Sequence, residues 1–398
     1  MTKRNYTVDF DARQADEAPD NDHGLPLVRT SERSDFKRCP WLWNESWVKG
    51  LTSVRTPTWS WFGTAIHAGL EVRYKPGKKR GSLKKVLEAF EESMDGQIGK
   101  IYTEGGEIEE SEVVDGRELG IAMLKGYVEE YGEEKHIEVI HSEQSFQIDV
   151  PHPTKPGEVI CVYAGTWDSL WRIDGVLWIV DHKTRKQFPS NTDFYDLNDQ
   201  AGSYLWVAPE VLIHLGILTK KEAKKIMGLQ FNLLRKQMPS ARPVEADGYV
   251  HNKPTKADYE AALSPVMDLP TRLPTIAVLE EYAHKQNIKV LGEVSKVQPL
   301  PLFKRVVAER SLEERATQGQ RVQAEAMWME AVRNGEMPLF KTPTEDCVRC
   351  QLFDYCQADE HDHAEGQELA EVLLRRRDPY RDHREAMERG GVVLRKEK

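Results

Sequence analysis

YAGTWDSLWRIDGVLWIVDHKT, residues 163–184, sets β-branched and aromatic residues against polar ones on both sides of Asp174-Gly175, the pattern of two strands joined by a tight turn. Its charges stand in an unusual place, because Asp168, Asp181 and Lys183 lie among tryptophans, valines and isoleucines. Side chains alternate along a strand, so Asp181 and Lys183 share one face and His182 points away. Pairing across the turn brings Asp168, on the partner strand, to within a few residues of Asp181. Two carboxylates beside a lysine are what divalent-metal hydrolysis of a phosphodiester needs: the carboxylates hold Mg2+ or Mn2+, and the lysine orients or activates the nucleophile. The competing reading is an exposed cross-strand ion pair, which is common and contributes little.

Around the hairpin the chain changes character twice. Residues 1–28 are rich in Asp, Asn and Pro without apolar periodicity, which predicts a flexible acidic tail with order beginning near Leu27. Ser31 to Trp47 predicts one helix or two short ones, and a second helix begins near Trp61 and carries His67 and Glu71 four residues apart. Residues 82–99 and 115–134 have helical spacing, whereas VIHSEQSFQIDVP (139–151) and VICVYAGTWDSLWRI (159–173) alternate as strands. After the hairpin, DFYDLNDQAGSYLWVA reads as a helix and GLQFNLLRK as a further strand, so the middle of the chain is an α/β core. Residues 255–335 read as helical again. One domain over 29–360 and a charged helix or tail over 361–398 complete the expected organisation.

Composition narrows the function classes. The 398 residues are 39% hydrophobic and 30% charged, with a formal net charge of -10. That charge argues against binding a polyanion over the whole surface but leaves room for a local basic groove. No apolar run is long enough to span a bilayer, and the polar, acidic N-terminus is unlike a signal peptide, so a cytoplasmic protein without membrane contact is expected. No Gly-x4-Gly-Lys-Ser/Thr loop occurs, so any unwinding of nucleic acid falls to a partner such as a helicase or recombination protein. The basic clusters KPGKKRGSLKK, TKKEAKK and LLRK read as solvated faces. Five of the ten tryptophans lie between Trp41 and Trp61 and read mainly as core, with one or two available to stack bases of a single strand.

Taken together, the order Gly63-x3-His67-x3-Glu71, Gly165-x2-Asp168, Asp181-x-Lys183 and Gln200-x3-Tyr204 resembles the PD-(D/E)XK nuclease superfamily, in the branch of the RecB and AddB nuclease domains, Cas4 and stand-alone phage exonucleases. The resemblance implies a restriction-endonuclease-like α/β core with a central mixed sheet and helical elaborations. It implies metal ligation by His67, Asp168, Asp181 and the backbone carbonyl of His182, with Lys183 as the catalytic lysine and Gln200 and Tyr204 as the branch's additional motif. Asp181 stands where the family more often has Glu. The implied activity is metal-dependent hydrolysis of DNA, most readily exonucleolytic, in recombination, repair or phage DNA processing. The alternatives are a DNA-binding or assembly factor that retains the fold without catalysis, and a redox-active electron-transfer protein.

Cysteine usage supplies a second motif. Cys347-x2-Cys350-x5-Cys356 lies near the end of the expected domain, and Cys39 lies alone near its start. Four thiolates hold either a [4Fe-4S] cluster or zinc, and this distribution is not a compact zinc-finger spacing. It is similar to the iron-sulfur staple of the Cas4 and AddB group. Cys161, on a strand of β-branched residues, reads as a small buried hydrophobe.

Overall fold

A computed structural model describes residues 24–240 and 242–395. The turn Asp174-Gly175 has positive φ at both positions, 48° and 88°. This conformation matches the right-handed twist of the flanking strands and favours Asp-Gly. On it hangs a mixed sheet. Its strands are β1 (Leu27–Arg29), β3 (Ile137–Pro151), β4 (Val159–Ile173), β5 (Val176–Arg185), β6 (Ile226–Arg235), β7 (Phe303–Glu309) and β9 (Val392–Leu394), while β2 (Leu51–Ser53) and β8 (Leu374–Arg376) form a separate ribbon. The order across the sheet is β7-β6-β5-β4-β3-β9, with β1 alongside β4. β5 and β6 run parallel, as do β3 with β9 and β1 with β4; the other neighbours are antiparallel.

Alternation along these strands feeds two cores. Val180 and Leu234 pack with the helices Thr58–Arg73, Leu83–Thr103 and Glu110–Tyr131, whereas Ile179 and Leu233 pack with the helices Asp199–His214 and Leu312–Arg333. Because adjacent strand residues point to opposite faces, these are the two sides of one sheet, covered by helices. Trp167 and Trp171, both fully buried, also contribute one to each core, although they lie four residues apart on β4. Trp41, Trp43, Trp47 and Trp61 are all buried, so these four are core and none of them offers a ring to a base.

The chain divides into two compact units, one made of the residues up to Gln237 together with those from Phe303 onward, the other Met238–Leu302. The second unit has its own small core of Tyr259, Leu263, Leu279 and Ala283, contributed by the helices Lys256–Leu263 and Ile276–Lys285. It is inserted in sequence between β6 and β7, a division that a single domain over 29–360 does not contain. β7 is also absent from the helical reading of 255–335. The tail expected over 1–28 lies, for residues 1–23, outside the described residues; Leu27 and Val28 are both buried in β1.

The C-terminal segment, expected as a charged helix or tail, holds two helices and two short strands among the described residues. Beyond the helices Phe353–His361 and His363–Leu373, β8 pairs with β2, and β9 adds to the main sheet beside β3. Between them Tyr380 donates its hydroxyl to Glu32 Oε2 at 2.9 Å. Glu32 is fully buried and also accepts from Trp43 Nε1 and Arg333 Nη2. The Arg29 amide donates to it as well; a carboxylate buried this deeply needs such donors, and the Tyr380 bond ties the last residues to the first helix.

Candidate active site and cysteine cluster

The β4–β5 register pairs Ile173 with Val176 and continues to Ser169 with Val180. One step further Asp168 would lie opposite Asp181, but the ladder ends there. In its place the His182 amide donates to Asp168 Oδ2 at 2.5 Å. The strands therefore part at the two aspartates, and a side chain takes over a bond that the main chain has released.

Four expected residues meet at this opening. From the helix Thr58–Arg73, His67 Nδ1 lies 3.1 Å from Asp168 Oδ1. Lys183 Nζ lies 2.8 Å from Asp181 Oδ2, yet outside hydrogen-bonding direction, so this buried oxygen has an ion contact and no hydrogen bond. Gln200 Nε2 reaches Asp181 Oδ1 at 3.4 Å and the Tyr204 hydroxyl at 3.0 Å. The Tyr204 hydroxyl in turn donates to the Thr166 carbonyl at 2.6 Å. The amide thus holds the aspartate. Glu71, one turn beyond His67, faces Glu143 and Arg389 and takes no part in this set.

The electrostatics follow from burial and pairing. Burial pushes the Asp168 carboxyl up, but His67 and the His182 amide more than offset it and hold the group well below the usual carboxylate range. Burial lowers His67, and Asp168 more than compensates, leaving the imidazole above its ordinary value. For Asp181 burial wins over the pull of Lys183, and the Asp168 charge adds to it, so this carboxyl is raised. Burial pushes the Tyr204 phenol far up, so it stays protonated, donating to the Thr166 carbonyl while accepting from Gln200. The two aspartates therefore differ in proton affinity, one firmly ionised and one poised, as is common where environment assigns different roles to like groups.

His182 belongs to the site by its backbone. Its imidazole points to the opposite face, stacked 5.8 Å from Tyr74, and accepts from Asn232 Nδ2 at 2.8 Å. Burial lowers it to about 3, so the ring is neutral. Behind it Asn232 also donates to the Tyr127 hydroxyl at 2.6 Å, and Tyr74 to Glu134, which Arg305 pairs at 2.6 Å. Sequence reading passed over Asn232, although an Asn inside the apolar run GLQFNLLRK is a legible signal of a buried polar partner. The basic cluster LLRK closes β6, beside the end of its parallel neighbour β5. There Arg185 and Lys186 stand near Lys236, whose ammonium is lowered by burial and then by these two cations.

In donor type the site fits a hard divalent cation: two carboxylates and an imidazole, with Asp181 Oδ2 lacking a hydrogen bond. Among the described residues, no three His, Cys, Asp or Glu side chains already stand close enough to form a ready metal site.

That statement covers the cysteines too, all five of which are free. Cys39 is nevertheless brought beside the distant trio. Burial raises the Cys350 thiol, and the neighbouring Cys39 and Cys347 add to it; burial raises Cys356 to about 11, with Cys39 and Cys350 contributing. The Thr342 and Thr344 amides donate to Cys39 Sγ and Cys347 Sγ at 3.5 and 3.3 Å. Cys161 is buried apart from them, its thiol pushed up to about 12.

A sequence profile of the PD-(D/E)XK nuclease superfamily matches residues 30–357, a span that holds the aspartates, the lysine, His67, Gln200, Tyr204 and all the cysteines. The chain belongs to this nuclease superfamily. No curated protein matches it. Among the described residues no helix is long and apolar enough to cross a membrane.

Proposed function

We propose that the protein is a deoxyribonuclease of the exonucleolytic kind, with Asp168, Asp181 and His67 holding Mg2+ or Mn2+ together with the His182 carbonyl, and Lys183 as the catalytic lysine. The observation that carries this reading is the parting of β4 and β5 at Asp168 and Asp181, with Lys183 and His67 on either side. When bound, the cation polarises the phosphate and lowers the pKa of water. The chain's own groups do the rest. The His182 amide and Gln200 fix the two carboxylates, Tyr204 anchors Gln200 through the Thr166 carbonyl, and Lys183 offers its charge where the phosphate becomes more negative. Arg185, Lys186 and Lys236 provide local positive charge beside the site in a chain of net charge -10.

The RecB, AddB and Cas4 branch is part of this proposal, with Cys39, Cys347, Cys350 and Cys356 as ligands of a structural [4Fe-4S] cluster, or of zinc as the alternative. Support comes from their identity, their shared neighbourhood and the amides aimed at two of the sulfurs. A group held there joins the two ends of the matched span and limits the unfolded chain. A cytoplasmic setting, DNA as substrate and a separate helicase or recombination partner in repair or phage DNA processing complete the reading. Digestion of end-labelled single and double strands with free or blocked 5′ and 3′ ends, in Mg2+ and in Mn2+, tests it. Shortening from a free end supports the proposal, and intact DNA in both metals rejects it.

A further inference from the structure

Beside Lys183 the surface opens into a cavity of about 410 Å3, within the range of roughly 300–1,000 Å3 typical of ligand sites. Its lining includes Lys183, Gln200 and Tyr204, shared with the site above. One wall is the turn from β1 into the helix Thr30–Arg38, which brings Arg29, Ser31 and Ser34. The lining also includes Phe194, on the short 3-10 helix Asp193–Leu197.

Phe194 is 66% exposed while its neighbour Tyr195 is 3% exposed. The turn is thus anchored by Tyr195, and the Phe194 ring makes no demand on the core. An exposed aromatic ring at the rim of a cavity lined by hydroxyls and a lysine complements a nucleotide: a π-face for the base, and donors and cations for the phosphate. The one carboxylate on this rim, Asp199, is paired by Arg33 at 2.9 Å and Lys37 at 2.8 Å, so it does not repel an anion. Trp41, Trp43, Trp47 and Trp61 are all buried and cannot compete as platforms.

We infer that this cavity seats the nucleotide adjacent to the scissile phosphate of single-stranded DNA, its base stacked on Phe194 and its phosphate held by Arg29 and the Ser31 and Ser34 hydroxyls. Inside a duplex both faces of each base are covered by neighbours, so away from a terminal pair only an unpaired base can lie on Phe194; the cavity favours single strands. This inference rests on the nuclease reading.

The test uses the full chain with a fluorescein-labelled single-stranded oligonucleotide and the corresponding blunt duplex, by anisotropy in Ca2+ and by steady-state hydrolysis in Mn2+. Phe194→Ala should weaken single-strand affinity about tenfold, within what one stacked base contributes, with the loss falling on KM, and Phe194→Trp should restore it. Duplex affinity should change much less. Equal single-strand affinity of wild type and Phe194→Ala, in a protein that hydrolyses DNA, overturns the cavity assignment alone. A wild type that hydrolyses nothing, yet loses single-strand affinity in Phe194→Ala and regains it in Phe194→Trp, overturns the nuclease reading and leaves the stacking site in place.

Discussion

The His182 amide and the Asp168 carboxylate are joined at 2.5 Å, a bond from the main chain of one hairpin strand to a side chain of the other, at the rung where Asp168 would face Asp181. This bond and His67 overcome the cost of burying Asp168 as an anion. The hairpin thus presents a firmly ionised carboxylate, paired with His67, beside a poised one that Lys183 faces.

His67 gives a direct readout of that pairing. Its imidazole sits above its ordinary value because the Asp168 carboxylate outweighs burial. In metal-free protein, histidine NMR should show His67 titrating above ~6.5, and Asp168→Asn should move it below that value, because burial then acts without the offsetting charge. A His67 resonance that titrates identically in both proteins contradicts the pairing.

Asn232 is expected to matter for stability and placement. Replacing it by Leu leaves the His182 Nδ1 acceptor buried without its donor, a loss of about 1–3 kcal/mol. The urea midpoint should fall accordingly, and hydrolysis should weaken because the His182 amide loses its support. An unchanged midpoint would contradict a role for the Asn232 bond.

Acid sensitivity follows from His383, which is buried on the helix Arg381–Glu388 and held at about 3, first by burial and then by Arg29. The unfolded imidazole takes up a proton near pH ~6.5, whereas the folded one does so only near 3. The unfolded state therefore binds more protons between these values, and stability is lost as pH falls through this window, by up to about 1.4 kcal/mol per pH unit for the group. His182 acts in the same direction, while the raised His67 opposes both. His383→Gln should reduce the difference between urea midpoints at pH 7 and pH 5, and an unaltered difference would show that His383 takes up its proton as easily folded as unfolded.

Much of this was legible in the sequence, and the remainder was not, for local reasons. The hairpin announced itself because Asp174-Gly175 is a turn dipeptide between alternating strands, and alternation alone placed Asp181 and Lys183 on one face. The helix of His67 begins at Thr58, ahead of the expected Trp61, a boundary that its Pro57 N-cap sets. β7 was missed because FKRVVAE carries Lys304 and Arg305 in an edge strand. β9 was missed because three residues, VVL, hold no periodicity at all. Met238–Leu302 alternates short helices with Pro-rich loops, and no composition shift marks its ends. Phe194 and Asn232 gain meaning only from their neighbours in space.

The cysteines separate two chemistries. Protein purified anaerobically should contain iron and sulfide and be brown, and Cys39→Ala should bleach it and lower its melting temperature about as much as Cys350→Ala, since each removes a ligand from the same group. Equimolar zinc without iron would move the assignment to a structural zinc site, and Cys39→Ala with full metal content would remove Cys39 from it.

The central claim is that Asp168, Asp181 and Lys183 carry out hydrolysis at the parted rung, and the most direct measurement is the initial rate on end-labelled single-stranded DNA in Mn2+ for wild type, Asp181→Asn and Lys183→Ala, each checked for folding by circular dichroism. Loss of at least about 100-fold in both folded variants is predicted, as expected for groups acting on the transition state. Wild-type rates in either folded variant would contradict it.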